Sequence, residues 1–478
     1  MDTQQFREQA HRLVDWMADY LESVEEYPVR SQVQPGDVTR QLPSSAPLEG
    51  ESFESIFSDF QSVIMPGMTH WQHPNFFAFF TANSSPPSVL AEMLTATLGA
   101  QCMLWETSPA ATELETVVLQ WLAEMLGLPI DDSTGFRGCI HDTASTAILC
   151  AILVAREKAT GWDSNAIGLA SSRQIAMYTS AETHSSTEKA VKIAGLGEQN
   201  LRKIRSDASH SIAIRELEST MQRDQEAGIT PACIIASLGA TGVGAIDNIE
   251  QVGQVCKRFG AQLIVDAAWA GSALILPEYR ALLSGIDFVD AIIVNPHKWL
   301  LTNFDCSVLY MRDTEALLKT FSILPSYLRH DREREVVDYR DWGIALGRRF
   351  RALKLWFVIR SYGVEGLRKI LRSHIELAEW LEKEIASHPN FEITSTRCLS
   401  LFTFRFTPKT DLPLEELNAL NKRLVDRIND GGRAYLTTTL IGEERVIRFN
   451  IGQTYTAEQH VQAAWKLIQQ TADEVNKT

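Results

Sequence analysis

Several things are missing from the 478-residue sequence, and each absence removes a class of protein. Its longest apolar run, 147–155, stops far short of the roughly 20 residues a membrane-spanning helix needs. The start, Met1-Asp2-Thr3-Gln4-Gln5, is polar and has no signal-peptide core. The seven cysteines, at 102, 139, 150, 233, 256, 306 and 398, are odd in number and form no Cys-x-x-Cys. That argues against a disulfide framework and offers no metal-ligand spacing, so no metal is expected. Basic residues are outnumbered: 45 Lys and Arg against 60 Asp and Glu leave a net charge of −15. A nucleic-acid or anionic-membrane binder needs basic surface, so neither partner is expected, though a small anion in a locally positive pocket remains allowed. There is no tandem repeat and no low-complexity segment. The expectation is a reduced, cytoplasmic globular protein of more than one domain.

What is present has a clear order. Phe6, Ala10, Leu13, Val14, Met17, Leu21 and Val24 recur at helical spacing, which predicts an amphipathic first helix. Residues 27–47 carry Pro28, Pro35, Pro43 and Pro47 and read as an extended tether. Such an arm either folds back on its own chain or docks on a partner subunit. An aromatic cluster follows (Trp71, Phe76, Phe77, Phe79 and Phe80), read either as core or as the wall of a pocket for an aromatic ligand. Helices are predicted over 88–99, 110–127 and 144–160.

From there the pattern alternates. Strands are predicted at 175–179, around Ile204, and at 232–238, 262–265 and 288–294, with helices over 211–227 and 248–259 between them. That is the rhythm of a mostly parallel sheet covered by helices, an α/β fold. Residues 330–335, charged throughout, read as a solvated loop. Helices are predicted over 343–362 and 363–387. The tail then changes rhythm, with strands at 400–406, 434–438 and 446–451 and helices at 414–429 and 457–475, a smaller α+β unit.

Two strand ends carry chemistry. Ile292-Ile293-Val294 runs into Asn295-Pro296-His297-Lys298-Trp299, and the strand at 262–265 ends at Asp266. In open α/β sheets ligands bind beyond the C-terminal ends of strands. A lysine and a carboxylate at neighbouring strand ends suit pyridoxal 5'-phosphate (PLP): the lysine forms a Schiff base with the aldehyde and the acid pairs with the protonated ring nitrogen. The phosphate needs a helix N-terminus, and Asp142, Thr143, Ser145 and Thr146 open one; these residues equally read as ordinary caps. His184, at another strand-to-helix turn, is placed to stack over the ring.

These motifs resemble those of group II PLP-dependent decarboxylases, specifically the bacterial-type aromatic-L-amino-acid decarboxylases, with tryptophan decarboxylase the favoured member. The resemblance rests on Asn295-Pro296-His297-Lys298-Trp299, His73-Pro74-x-Phe76-Phe77-Ala78, Ser108-Pro109-Ala110, Thr112-Glu113-Leu114-Glu115, Ala181-x-x-His184-Ser185-Ser186, Asp266-Ala267-Ala268-Trp269-Ala270-Gly271, Asn303-Phe304-Asp305-Cys306 and Leu346-Gly347-Arg348-Arg349-Phe350-Arg351. It spans nearly the whole chain.

The resemblance implies fold type I, the aspartate-aminotransferase-like PLP-dependent transferase fold. It implies a helical segment at 1–83 packing across a homodimer, a large cofactor domain at 84–362 and a small domain at 363–478. It gives Lys298 the covalent bond to PLP, Asp266 the ring nitrogen and His184 the ring face. Thr143, Ala144, Ser145, Asn295 and His297 hold the phosphate, with Thr241 and Ala268 close to the ring. Tyr327 lies on a mobile loop that closes over the neighbouring subunit's active site and, with His184, supplies the proton to Cα. Trp71, Phe79, Phe80, Ala82, Gln101, Met103, His184 and Gly347 line the substrate side-chain pocket. Gly347 favours bulky indoles, which puts tryptophan first, with DOPA, 5-hydroxytryptophan, tyrosine and phenylalanine behind it. The alternatives are an aldehyde synthase, which couples decarboxylation to oxidative deamination, and a catalytically dead binding paralogue.

Overall fold

A computed structural model describes residues 1–131, 135–170, 172–323, 336–409 and 412–477. By contact density the chain divides into two compact units: Ala82–Ile375 with Thr396–Leu401, and Met1–Thr81 with Glu376–Ser395 and Phe402–Thr478.

The first unit is built on a seven-stranded sheet. Its strands are β1 (Arg137–His141), β2 (Ile175–Ser180), β3 (Leu201–Ile204), β4 (Thr230–Ser237), β5 (Gln262–Asp266), β6 (Ala291–Val294) and β7 (Ser307–Met311), in the order β1-β7-β6-β5-β4-β2-β3. The β2–β3, β2–β4, β4–β5 and β5–β6 pairs are parallel, and β7 runs antiparallel to both of its neighbours. Every residue of β2 and β6 is buried, as strands covered on both faces by helices must be. The helix Ala144–Ala159 forms because its apolar positions run all round; it supplies Ala147, Ile148, Ile152 and Val154 to a core shared with Met177, Ile235, Ile264, Ile293 and Leu309.

The α/β reading is therefore correct, with differences in two places. Strands β1 and β7 form where no strand was expected. The helix expected over 343–362 begins only at Arg351, within the span Arg351–Ser387. The break expected between the two helices falls at Gly363, with φ 64° and ψ 168°, a left-handed φ that glycine adopts without a Cβ clash.

The second unit holds a four-stranded sheet of β8 (Phe391–Ile393), β9 (Leu401–Phe406), β10 (Thr437–Ile441) and β11 (Glu444–Asn450), in the order β10-β11-β9-β8. Alternate residues Ile447, Phe449 and Ile451 enter its core with Phe402, Phe404, Leu424, Val461 and Trp465, the period of two that a half-buried sheet imposes. The first helix, Thr3–Ser23, starts on a capping box of Asp2 and Gln5 and buries none of its residues. Trp16 meets Phe57 and Phe60 at 6.0 and 5.2 Å. The stretch expected to be extended holds a short helix, Asp37–Gln41, after the turn at Gly36.

Candidate active site

Lys298 stands where β6 ends. The strand leads through Asn295 into the short helix Pro296–Trp299. Lys298 N–H donates to the Asn295 carbonyl at 2.9 Å, and the Asn83 side-chain amide donates to the Lys298 carbonyl. The next residue anchors the turn: Trp299 is fully buried, stacks on Trp269 at 5.1 Å and donates its indole N–H to His374 Nδ1 at 2.9 Å. The lysine backbone is thus fixed while its side chain remains half-buried.

Asp266 lies at the end of the adjacent strand, in register with Ile293 of β6 on one side and Ser237 of β4 on the other. Its Oδ1 accepts from Ala268 N–H at 3.1 Å. The Asn295 N–H donates to the Ala268 carbonyl at 3.0 Å, which ties the Asp266 turn to the Lys298 turn.

His184 is the N-cap of the helix Ser185–Ile193, and its Nδ1 accepts from Ser186 N–H at 3.2 Å. An accepting Nδ1 puts the ring proton on Nε2. Desolvation by the surrounding protein lowers the His184 pKa, Asp266 raises it and Lys298 lowers it further, the net direction being down. His184 is nevertheless exposed to solvent. The imidazole is therefore neutral at pH 7, and its two charged neighbours are the strand-end pair.

The helix Ala144–Ala159 offers the anion site. Its N-cap residue, Thr143, makes no side-chain cap bond, so the first-turn N–H groups point outward without an intrahelical partner. The Thr143 N–H itself is taken by Asp142 Oδ1 at 2.6 Å. At the same strand end, His141 Nε2 is buried with no hydrogen-bond partner among the described residues. His297 is buried, and its Nδ1 accepts from Cys306 N–H at 2.9 Å, leaving Nε2 as the donor. Desolvation, with Lys298 and Lys354 adding to it, pushes the His297 pKa down to about 3. Phe304 covers this ring at 4.9 Å. Asn295 is buried and its Oδ1 accepts from Ser307 Oγ at 2.6 Å. Thr241 sits in the loop 238–246 beyond β4.

The residues fit PLP on their donor chemistry: a strand-end amine, a neighbouring carboxylate, a neutral imidazole and an uncapped helix N-terminus. Expected pocket residues fall in both units. In the large-sheet unit, Gln101 meets Gly347: the Gln101 Oε1 accepts from Arg348 N–H at 2.6 Å, and a Cβ built on Gly347 would lie 3.3 Å from Gln101 Nε2. The Met103 carbonyl accepts from Arg340 N–H at 3.1 Å, and Ala82 is half-buried. In the other unit Phe80 is 8% exposed and carries the Arg448 guanidinium 4.6 Å above its ring. Trp71 and Phe79, 36% and 43% exposed, stack on one another at 5.9 Å. The aromatic cluster thus divides: Phe76 and Phe77 are core, while Trp71 and Phe79 are surface. Tyr327, with 330–335, lies outside the described residues.

Three supports escaped the sequence reading. Arg348 and Glu115 grip the strand that leads to Thr143, Ser237 and Thr183 link β4 to the His184 turn, and Asp247 closes the loop that carries Thr241. Only Arg348 and Glu115 stood in motifs that the sequence singled out, and there without a role.

A sheet of this topology with a lysine beyond one strand end and an aspartate beyond the next defines a PLP-dependent enzyme of fold type I. Residues 35–407 match the pyridoxal-dependent decarboxylase conserved domain. The chain is 42% identical to phenylacetaldehyde synthase of Arabidopsis thaliana, over 99% of this chain and 96% of that one. It is also 42% identical to tryptophan decarboxylase 2 of Oryza sativa subsp. japonica, with the same coverage. The crystal structure of Oryza sativa TDC with PLP and tryptamine superposes with a TM-score of 0.95 at 37% identity, covering 99% of both chains. The chain belongs to the pyridoxal-dependent decarboxylase family, and PLP is its cofactor. These relatives come from plants, so they lend the bacterial-type label no support. Among the described residues no helix is long and apolar enough to cross a membrane.

Proposed function

We propose that this protein decarboxylates an aromatic L-amino acid, tryptophan before DOPA, 5-hydroxytryptophan, tyrosine and phenylalanine, to the amine and CO2. It acts in the cytoplasm as a homodimer, with the 1–83 segment packed across the two-fold and the active sites at the subunit interface. The observation that carries the reading is the strand-end set of Lys298, Asp266 and His184 beside an uncapped helix N-terminus.

When bound, PLP binds the substrate amine covalently and its protonated ring accepts the electron pair of the breaking Cα–carboxylate bond. The protein's own tasks follow from the site. Lys298 would hold the cofactor through a Schiff base with its aldehyde. Asp266 would pair with the ring nitrogen and favour its protonated form. The first-turn N–H groups at 144–146, with Thr143, Ser145, Asn295 and the His297 Nε2–H, hold the phosphate. His184, neutral, would cover the ring without competing for the Asp266 charge. Within the large-sheet unit Ala82, Gln101, Met103 and Gly347 would receive the aromatic side chain, and Gly347 would leave room for an indole. Tyr327, with His184, would return a proton to Cα as general acid.

Two experiments test this. Across the five amino acids, with amine and CO2 measured together, tryptophan should give the highest kcat/KM. A strong preference for tyrosine or DOPA overturns the indole assignment. In the second, Tyr327→Phe should lower amine formation and release aldehyde and ammonia, while unchanged amine with no aldehyde removes Tyr327 from the reaction. The 42% identity to phenylacetaldehyde synthase makes aldehyde formation the second reading. Aldehyde as the wild-type product would select it.

A further inference from the structure

We propose that Asp247 is a positioning residue for the PLP site: its carboxylate fixes the end of β4 and, through Ser237 and Thr183, the turn that presents His184, while closing the loop that carries Thr241. Asp247 is 1% exposed and lies at the far end of the loop 238–246. Its Oδ2 accepts from Ser237 N–H and its Oδ1 from Ile212 N–H, both at 2.7 Å. Its own N–H donates to the Ser237 carbonyl at 2.9 Å. Ser237 is therefore held on both sides of its backbone by one residue.

From Ser237 the grip reaches the site in two directions. Leu238 N–H donates to the Asp266 carbonyl at 2.9 Å, and Ser237 is in register with Asp266. Ser237 Oγ lies 3.3 Å from Thr183 Oγ1, which also bonds Thr179 Oγ1 and immediately precedes His184. Within the loop, Gly239 N–H and Ala240 N–H both donate to the Ala245 carbonyl, at 3.0 and 2.9 Å. The loop is a closed hairpin tied at its base by Asp247. Displacements of about 1 Å at a reacting centre cost on the order of 100-fold in rate, so an acid that touches neither ligand can still set kcat.

The carboxylate is also poised to titrate. Desolvation raises its pKa, the two backbone N–H groups lower it, and the acidic groups that face it, Asp207 and Glu182, raise it again, bringing it to about 6. Once protonated, one oxygen becomes a donor and opposes an N–H it previously accepted from. Activity should therefore fall as pH drops through about 6. The stability contribution has the opposite sign. The folded state binds this proton more tightly than the unfolded chain does, so stability from this group is lost as pH rises between 3.8 and about 6. Loss of activity by simple unfolding would follow the second trend; misplacement follows the first.

The test uses PLP-loaded full-length protein and reads three quantities: the pH profile of kcat/KM, the visible circular dichroism of the bound cofactor, and the Kd for PLP of the stripped protein. Wild type should show an acid limb near pH 6. Asp247→Asn should lose that limb, lower kcat on the order of 10- to 100-fold, change the dichroic band and weaken PLP binding. Ser237→Ala keeps both bonds to Asp247, because they use backbone N–H groups, and breaks only the link to Thr183; it should lower kcat and alter the band while retaining the limb. Asp247→Asn with a wild-type limb and band overturns the proposal. Should Asp247→Asn not fold, Ser237→Ala with wild-type kcat and band overturns it instead. The dichroic and Kd readouts need no substrate, so they stand even if the substrate assignment fails.

Discussion

Lys298→Ala protein should form no borohydride-fixed adduct with PLP and should lose amine production by roughly 1,000-fold or more, the scale seen when a nucleophile that acts in concert with its neighbours is removed. The expectation rests on how the lysine is held. Its backbone is pinned by Asn295, Asn83 and the buried Trp299, so no other amine can take its place by a small shift of the chain. The other proposed anchors, Asp266 and the N-terminus of the helix Ala144–Ala159, are untouched by the substitution. PLP should therefore still bind, non-covalently, with a weaker Kd. In wild type, borohydride reduction and peptide mapping should place the cofactor on the peptide containing Lys298. A label on any other lysine, or a wild-type protein that stays colourless with PLP, would refute the assignment of this site. A Lys298→Ala variant that keeps its turnover would do the same to the chemistry.

How much of this could be read from the chain alone depends on where the controlling contacts lie. β6 was legible because four buried apolar residues run straight into a distinctive motif, and the α/β alternation was legible because each parallel strand is punctuated by its own helix. β1 was not, since Arg137-Gly138-Cys139-Ile140-His141 has neither alternation nor a continuous apolar run. Its position is set by pairing with β7 and by Glu115 and Arg348, both distant in sequence. The same contacts explain why 343–350 is not helical. Leu346, Phe350 and Leu353 carry helical spacing, yet Arg348 is drawn to Glu115 and its backbone carbonyl accepts from Cys102 N–H at 2.9 Å; long-range pairing overrides local propensity. Asp247 was hidden for a simpler reason. It precedes Asn248, and an acid beside an asparagine before an apolar helix reads as a cap. Asn248 takes the cap by accepting from Gln251 N–H, which leaves Asp247 free to turn inward. The residues proposed to meet the cofactor sit in short motifs, whereas the residues proposed to position them are dispersed, so the candidate site was visible and its scaffold was not.

That scaffold carries the second large expected effect. Arg348 and Glu115 form a buried bidentate pair, with Nη2–Oε1 at 2.6 Å and Nη1–Oε2 at 3.1 Å. Between them they hold both backbone groups of Ile140: Glu115 Oε1 accepts from its N–H at 2.9 Å, and Arg348 Nη2 donates to its carbonyl at 2.8 Å. Burial alone lowers the guanidinium pKa, and Glu115 more than reverses it, so the arginine stays charged. Ile140 stands three residues before Thr143, so this pair fixes the strand that delivers the proposed phosphate-binding turn. Arg348→Met should destabilise the protein by about 3–5 kcal/mol, because it leaves the Glu115 carboxylate buried without its counter-charge. PLP affinity should fall with it. The double variant Arg348→Met/Glu115→Leu removes the stranded charge and should recover most of the stability. PLP affinity should stay low, because Ile140 has still lost both of its holds. Denaturation midpoints and PLP titrations of the four proteins in the cycle measure the two effects separately. Stability and affinity recovering together in the double variant would mean that the pair serves only the core, and that the phosphate turn places itself.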